Sequence, residues 1–168
     1  MNSSDNLCPD NQPPLPINGF EGEFRFLSNF YPSVVKWDKK TYPTVEHAYQ
    51  AAKTNIEKER SLIRKEPSPG RAKRLGKKVT LRKDWENIKL SVMHDLILQK
   101  FSTDENLKQQ LLSTGGCYLE ETNSWGDTYW GVCDGIGKNI LGKILMQVRS
   151  KLTPIPVVPV QPKNKKPS

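Results

Sequence analysis

Hydrophobic and polar positions along the chain fall into blocks whose period changes from helical to alternating and back. From Val45 onward, Val45, Ala48, Tyr49, Ala52 and Ile56 share one arc at about 100° per residue, which predicts a helix. Glu46, Gln50 and Lys53 crowd an adjoining arc of about 60°, so one narrow stripe carries an acid, an amide and an amine. Thr44 is a fitting N-cap, and Glu46 in the first turn complements the positive end of the helix dipole. A second helix is expected over residues 57–65, stopped by Pro67, and the start and stop signals Ser68-Pro69 and Gly76 bound a short basic one. Asp84 is expected to cap the longest helix, with Trp85, Ile88, Val92, Leu96 and Phe101 on one face. Residues 103–113 form another, around Leu107 and Leu111. The last helix follows Asn139, read as its N-cap, and turns Ile140, Leu141, Ile144, Leu145 and Val148 inward.

The other segments alternate or show no period. Residues 23–26 read as a short strand, and residues 27–32 as a loop in which Ser28 and Asn29 offer hydrogen-bonding side chains between aromatics. At least one of Phe24, Phe26 and Phe30 is expected in the core. Residues 34–37 and 41–42 make a hairpin around Asp38-Lys39-Lys40, and residues 117–121 are strand-like. Residues 122–138 read as a loop in which Trp125, Tyr129 and Trp130 interleave with Gly126, Gly131, Gly135 and Gly137, a surface suited to stacking a base or holding a ribose. The expectation is an α+β, mainly helical single domain with a small antiparallel sheet over residues 18–152. Disordered segments, residues 1–17 and the Pro- and Lys-rich tail 153–168, would flank it.

Charge adds a candidate partner. The chain carries 26 Lys and Arg against 18 Asp and Glu, and 23 against 16 once both ends are set aside, so the excess belongs to the folded part. Residues 58–83 hold eleven basic residues with only Glu59 and Glu66 as acids, a surface suited to nucleic acid or a diphosphate, or simply a solvated basic face. No apolar run is long enough to span a bilayer and no leader pattern opens the chain, so a cytoplasmic or nuclear monomer with no membrane partner is expected. Cys8, Cys117 and Cys133 are odd in number and widely spaced, and His47 and His94 are the only imidazoles. That pattern fits neither a disulfide framework nor a zinc site, and no metal or cofactor is expected.

The polar stripe carries the candidate chemistry. Glu46 and Lys53 stand two turns apart, about 10.5 Å along the axis, but helical side chains lean toward the N-terminus and Lys is long. Facing a pocket, both reach one bound molecule; facing water, they are an ordinary polar face. Glu46 suits the acid that would protonate a departing group. Arg25, with its planar fork, suits a pyrophosphate or a hold on Glu46.

Four words of the chain resemble the NADAR (NAD- and ADP-ribose-associated, or YbiA-like) family, in its order. They are Phe24-Arg25-Phe26-Leu27-Ser28-Asn29-Phe30-Tyr31-Pro32, the Tyr42 to Lys53 stretch, Ala72-Lys73-Arg74-Leu75-Gly76 through Asp84-Trp85, and Asp127 to Arg149. The resemblance implies an N-glycosidase acting on an ADP-ribose-containing substrate, including ADP-ribosylated guanine in DNA. It implies that Lys53 attacks the anomeric carbon and holds the opened sugar as a Schiff base, and Glu46 is the candidate acid and base beside it. It also places Arg25, Phe26, Ser28, Asn29, Phe30, Gln50, Trp85, Asp127, Trp130, Gly131 and Asn139 around the substrate. Trp85 has core packing as its other reading, and Asn139 a helix cap. Two rival functions are an N-glycosidase for small ribosylaminopyrimidine phosphates and a non-catalytic ADP-ribose or NAD reader.

Overall fold

The computed structural model describes residues 15–155. The expected disordered ends therefore lie almost wholly outside the described residues. Ile17, assigned to the first of them, is buried and pairs with Leu119. Six α-helices are present among the described residues, at the predicted places: α1 (Val45–Ala52), α2 (Glu57–Lys65), α3 (Pro69–Gly76), α4 (Trp85–Thr103), α5 (Glu105–Ser113) and α6 (Ile140–Leu152). The strands are short: β1 (Ile17–Asn18), β2 (Val35–Trp37), β3 (Lys40–Tyr42), β4 (Leu119–Glu120), β5 (Thr122–Asn123) and β6 (Val132–Cys133). β2 and β3 form the expected antiparallel hairpin, turning on Asp38 and Lys39, both at positive φ (46° and 62°), as a type I′ turn requires. Two parallel pairs, β1 with β4 and β5 with β6, were not legible, because two-residue strands leave no alternation to read.

α1 is the centre of the packing. Eight residues are too few for a stable isolated helix, so its helicity comes from its surroundings. All eight are buried, and the helix is enclosed by α2, α3, α4 and the hairpin. Thr44 caps it as predicted: its Oγ1 accepts from the His47 backbone N–H at 3.2 Å and lies 2.7 Å from His47 Nδ1. His47 Nε2 is 2.8 Å from the Glu66 carbonyl, which can only accept, so Nε2 carries the proton and Nδ1 accepts from Thr44. Burial lowers the His47 pKa and keeps this neutral ring as a tie between the start of α1 and the end of α2. Around it, Leu27, Ile63, Leu96, Ile97, Phe101, Leu111 and Leu145 are almost wholly removed from water, each stabilising by about 1.5–3 kcal/mol.

Four expectations fail locally. Residues 23–26 belong to a 3-10 helix over Gly22–Leu27; Gly22 at φ 55° turns the chain, and Phe26 packs edge-on against Phe101 at 6.4 Å instead of entering a ladder. Asp84 precedes α4 but leaves its N–H groups uncapped, because Arg82 takes its carboxylate at 2.6 and 3.0 Å. Asn139 stands at the start of α6 in the left-handed region (φ 50°) without capping it; its side chain is used elsewhere. Ile56 lies outside the α1 arc, 43% exposed, since α1 ends at Ala52.

Lys100 of α4 is buried without an acidic partner among the described residues. Its Nζ donates to the Ser28 carbonyl at 2.8 Å and lies 5.4 and 5.0 Å from the Tyr31 and Phe101 ring centres. Burial brings its pKa down to about 7.

Candidate active site

A cavity of about 350 Å³ opens where α1 meets α3, the start of α4 and the loops around Ser28 and Trp125. Its volume is near the lower end of the roughly 300–1,000 Å³ common for ligand sites. Glu46, Gln50 and Lys53 all line it, so the polar stripe faces a pocket and not bulk water. Glu46 is 6% and Gln50 4% exposed. Gln50 Nε2 donates to Glu46 Oε1 at 2.7 Å, while Gln50 Oε1 is buried without a partner. α3 approaches this amide closely only because Gly76 has no side chain; a Cβ there would overlap the Gln50 amide.

Burial raises the Glu46 pKa, and Asp127 pushes the same way, against the Gln50 hydrogen bond and the charges of Lys73 and Lys53. Burial lowers that of Lys53, with Lys73 and Lys77 adding to the effect and Glu46 opposing it. The sequence left burial or Arg25 to outweigh Glu46; burial is the main cause, and the charges that assist it are Lys73 and Lys77, not Arg25. Lys53 sits at the C-terminal end of α1, where its carbonyl accepts the Arg82 N–H at 2.8 Å and fixes the departing chain.

The walls are built by three segments. Asn29 accepts the Glu46 backbone N–H at 3.1 Å on its carbonyl and directs Nδ2 to Met93 Sδ at 3.4 Å, which seats Ser28, Asn29 and Phe30 against the start of α1. Tyr49 lies between Trp85 and Trp130, with ring centres at 5.1 and 5.4 Å. Asp127 lines the cavity and also accepts the Tyr129 and Trp130 N–H groups on Oδ1, at 3.1 and 2.9 Å, while Asn123 brackets it from both sides. At the mouth Trp125 is 63% exposed, and Lys73 Nζ lies 5.5 Å from its ring and 5.9 Å from that of Phe30.

Of the residues named from sequence, Lys53, Glu46, Gln50, Ser28, Asn29, Phe30, Trp85, Asp127 and Trp130 line this one cavity. Arg25 is exposed on the 3-10 helix and Phe26 is in the core, neither among the lining residues. Asn139 and Gly131 lie behind the wall. Asn139 Oδ1 accepts the Glu121 N–H at 3.0 Å, and its Nδ2 reaches the Leu119 carbonyl at 2.8 Å and Tyr118 Oη at 3.0 Å. Gly131 faces Glu121 so closely that a Cβ would overlap the Glu121 carbonyl. The sequence reading missed Lys73, Lys77, Lys89, Met93, Glu121 and Leu141, and left Tyr49 without a place in the cavity, while Trp125, read as part of a stacking surface, does line it. Lys73 on α3 and Lys77, which follows α3 with helical backbone, are one turn apart, a spacing that marks a shared face; Glu121 carried no such signal.

Among the described residues no helix is long and apolar enough to cross a membrane. The N-glycosidase YbiA of Escherichia coli is 42% identical over 129 residues, covering 75% of this chain and 80% of its own. A riboflavin biosynthesis protein of Vibrio vulnificus is 37% identical over 130 residues, which make up 76% of this chain but only 35% of that longer protein. The solution structure of Escherichia coli YbiA superposes with a TM-score of 0.74 at 39% identity, covering 82% of this chain and 84% of that one. The NADAR domain profile matches residues 19–153. In sequence and in fold, therefore, the chain belongs to the NADAR domain family.

Proposed function

We propose that the protein is an N-glycosidase that removes ADP-ribose from modified guanine in nucleic acid, with Lys53 as nucleophile and Glu46 as proton donor. The observation that carries this reading is the burial of one acid and one amine in the same cavity, which moves Glu46 up and Lys53 down in pKa. Both shifts favour the neutral acid with the neutral amine over the ion pair. A neutral amine attacks carbon, and a protonated carboxyl gives its proton to a departing base.

In this reaction Lys53 Nζ bonds to C1′ as the C1′–N bond breaks, and the base leaves with that electron pair and the Glu46 proton. The lysine nitrogen loses one proton to the Glu46 carboxylate. Its lone pair then opens the ring, O4′ takes that proton back from Glu46, and a protonated imine forms. Water adds to C1′, the carbon–lysine bond breaks, and free ADP-ribose closes its ring. Water and the riboside are consumed; base and ADP-ribose are produced.

Lys73, Lys77 and Lys89 supply cations for a phosphorylated sugar, and the aromatic wall supplies stacking surface. Beyond the mouth, exposed Arg74 and Lys78 continue the positive surface over α3 and the residues after it, which supports a polymeric substrate. A second reading, cleavage of a small ribosylaminopyrimidine phosphate, is favoured by the name of the Vibrio relative and by a cavity sized for a single riboside. Incubation with guanine-ADP-ribosylated DNA and, separately, with that small phosphate, followed by chromatography of the released base, decides between them. Borohydride added during turnover should fix the sugar to the peptide containing Lys53. Release from neither substrate would overturn both readings.

A further inference from the structure

Three carboxyl groups line the cavity, and two are engaged: Glu46 by Gln50, Asp127 by the backbone of Tyr129 and Trp130. Glu121 differs. Its Oε2 is buried with no hydrogen-bond partner among the described residues, a costly arrangement that the fold does not need. Its backbone, by contrast, is fixed at both groups: the N–H donates to Asn139 Oδ1 at 3.0 Å and the carbonyl accepts from Val132 N–H at 2.8 Å. Gly131 leaves the room it occupies, since a Cβ there would overlap the Glu121 carbonyl and press on its Cγ. Much of the chain around β4 and β5 thus holds one unpaired carboxyl against the same cavity as Lys53.

Resting on the lysine-imine reading, we infer that Glu121 is the general base for the second half of the reaction, activating the water that resolves the Lys53 imine. The water O–H bond breaks and its proton passes to Glu121 Oε2. The oxygen bonds to C1′, and the carbon–nitrogen π electrons return to nitrogen. Glu121 then gives that proton to the lysine nitrogen and recovers one from the new hydroxyl as the carbonyl forms and the carbon–nitrogen bond breaks. Lys53 departs as a neutral amine, and the proton remains on Glu121 for release to solvent. Glu46 and Glu121 would so divide the work, one for the departing base and one for water.

The surroundings suit that exchange. Burial raises the Glu121 pKa to about 7; Lys73 opposes the rise, and Asp127, Glu46 and Glu21 add to it. A carboxyl titrating near neutrality both takes and returns a proton readily.

The test separates the half-reactions, using an oligonucleotide carrying ADP-ribosylated guanine and, in parallel, the ribosylaminopyrimidine phosphate. Glu121→Gln should release about one equivalent of base at a near-normal rate and then turn over about 100-fold more slowly. Borohydride-trapped adduct should rise toward one per protein. Glu121→Asp should recover part of the rate, and hydroxylamine, which attacks an imine without a base, should restore turnover of Glu121→Gln. Base release and adduct falling together, or turnover unchanged, overturns the assignment. No adduct from the wild-type protein overturns the lysine imine itself, and the Glu121 role with it.

Discussion

The proposed reaction needs Lys53 and Glu46 in the protonation states opposite to those that free lysine and glutamate hold at neutral pH, and this should make it sensitive to pH from both sides. As pH falls, Lys53 takes a proton and loses its nucleophilic pair; its lowered pKa delays this to a more acidic pH than for a free lysine. As pH rises, Glu46 loses the proton it should donate, and its raised pKa delays that loss. The rate profile should be bell-shaped, its limbs belonging to the coupled pair. Glu46→Gln should remove the alkaline limb while slowing turnover about 100-fold or more, and Lys53→Arg, which keeps the charge but cannot deprotonate, should abolish both turnover and trapping. A Lys53→Arg protein active at the wild-type rate would reduce the lysine to an electrostatic aid. These two residues were legible in the sequence because seven positions on one helix fix their relative direction. Glu121 was not, because only contacts between β4, β5, β6 and Asn139 turn it inward.

At the level of elements, the seating of α3 on α1 depends on the bare face of Gly76. Gly76→Ala would push the Gln50 amide and, through its hydrogen bond, the Glu46 carboxyl. It should destabilise the fold by about 1–3 kcal/mol in denaturant titrations and lower turnover more than tenfold. Adding Gln50→Ala should return most of the stability but not the activity; recovery of both would mean that Gln50 does not orient Glu46. The longer helices could be read because they repeat their apolar residues over two turns or more, and α2 and α3 because Pro67, Ser68-Pro69 and Gly76 mark where they stop and start. The 3-10 helix at Gly22 imitates a strand, since Glu23-Phe24-Arg25-Phe26 alternates while its partner is a helix face, not a ladder. The caps at Asp84 and Asn139 failed for a related reason: a side chain able to cap a helix is equally able to bond Arg82 or strand β4, and tertiary contacts decide.

Across the whole molecule, the net charge of +8 overstates the surface free to meet a polyanion. Within residues 58–83, Arg60, Arg64, Arg71 and Arg82 are already paired with Asp38, Glu57, Glu66 and Asp84, and Lys73 and Lys77 belong to the cavity. The other five, Lys58, Lys65, Arg74, Lys78 and Lys83, are exposed, and of these Arg74 and Lys78 lie on α3 and just after it, beyond the mouth. Replacing both by Gln should weaken turnover of long modified DNA, lower its salt slope by up to about 1.8, and spare a modified mononucleotide; equal losses on both substrates would assign them to the pocket instead. Lys100 has a different kind of reach. An unfolded chain holds its proton up to the usual 10.5, whereas the folded one gives it up near 7. The cost of burying the charge is constant below that window and is relieved as pH rises through it, so stability should climb by up to about 1.4 kcal/mol per pH unit from this group. Near pH 8.5, folding therefore expels close to one proton into the buffer. Calorimetric unfolding enthalpies should then differ between Tris and phosphate by about the difference of their ionisation heats, and Lys100→Met should erase that difference. Because the same amine holds the Ser28 carbonyl at the rim of the cavity, a protein that counts protons as it folds also sets part of that cavity's wall by the count.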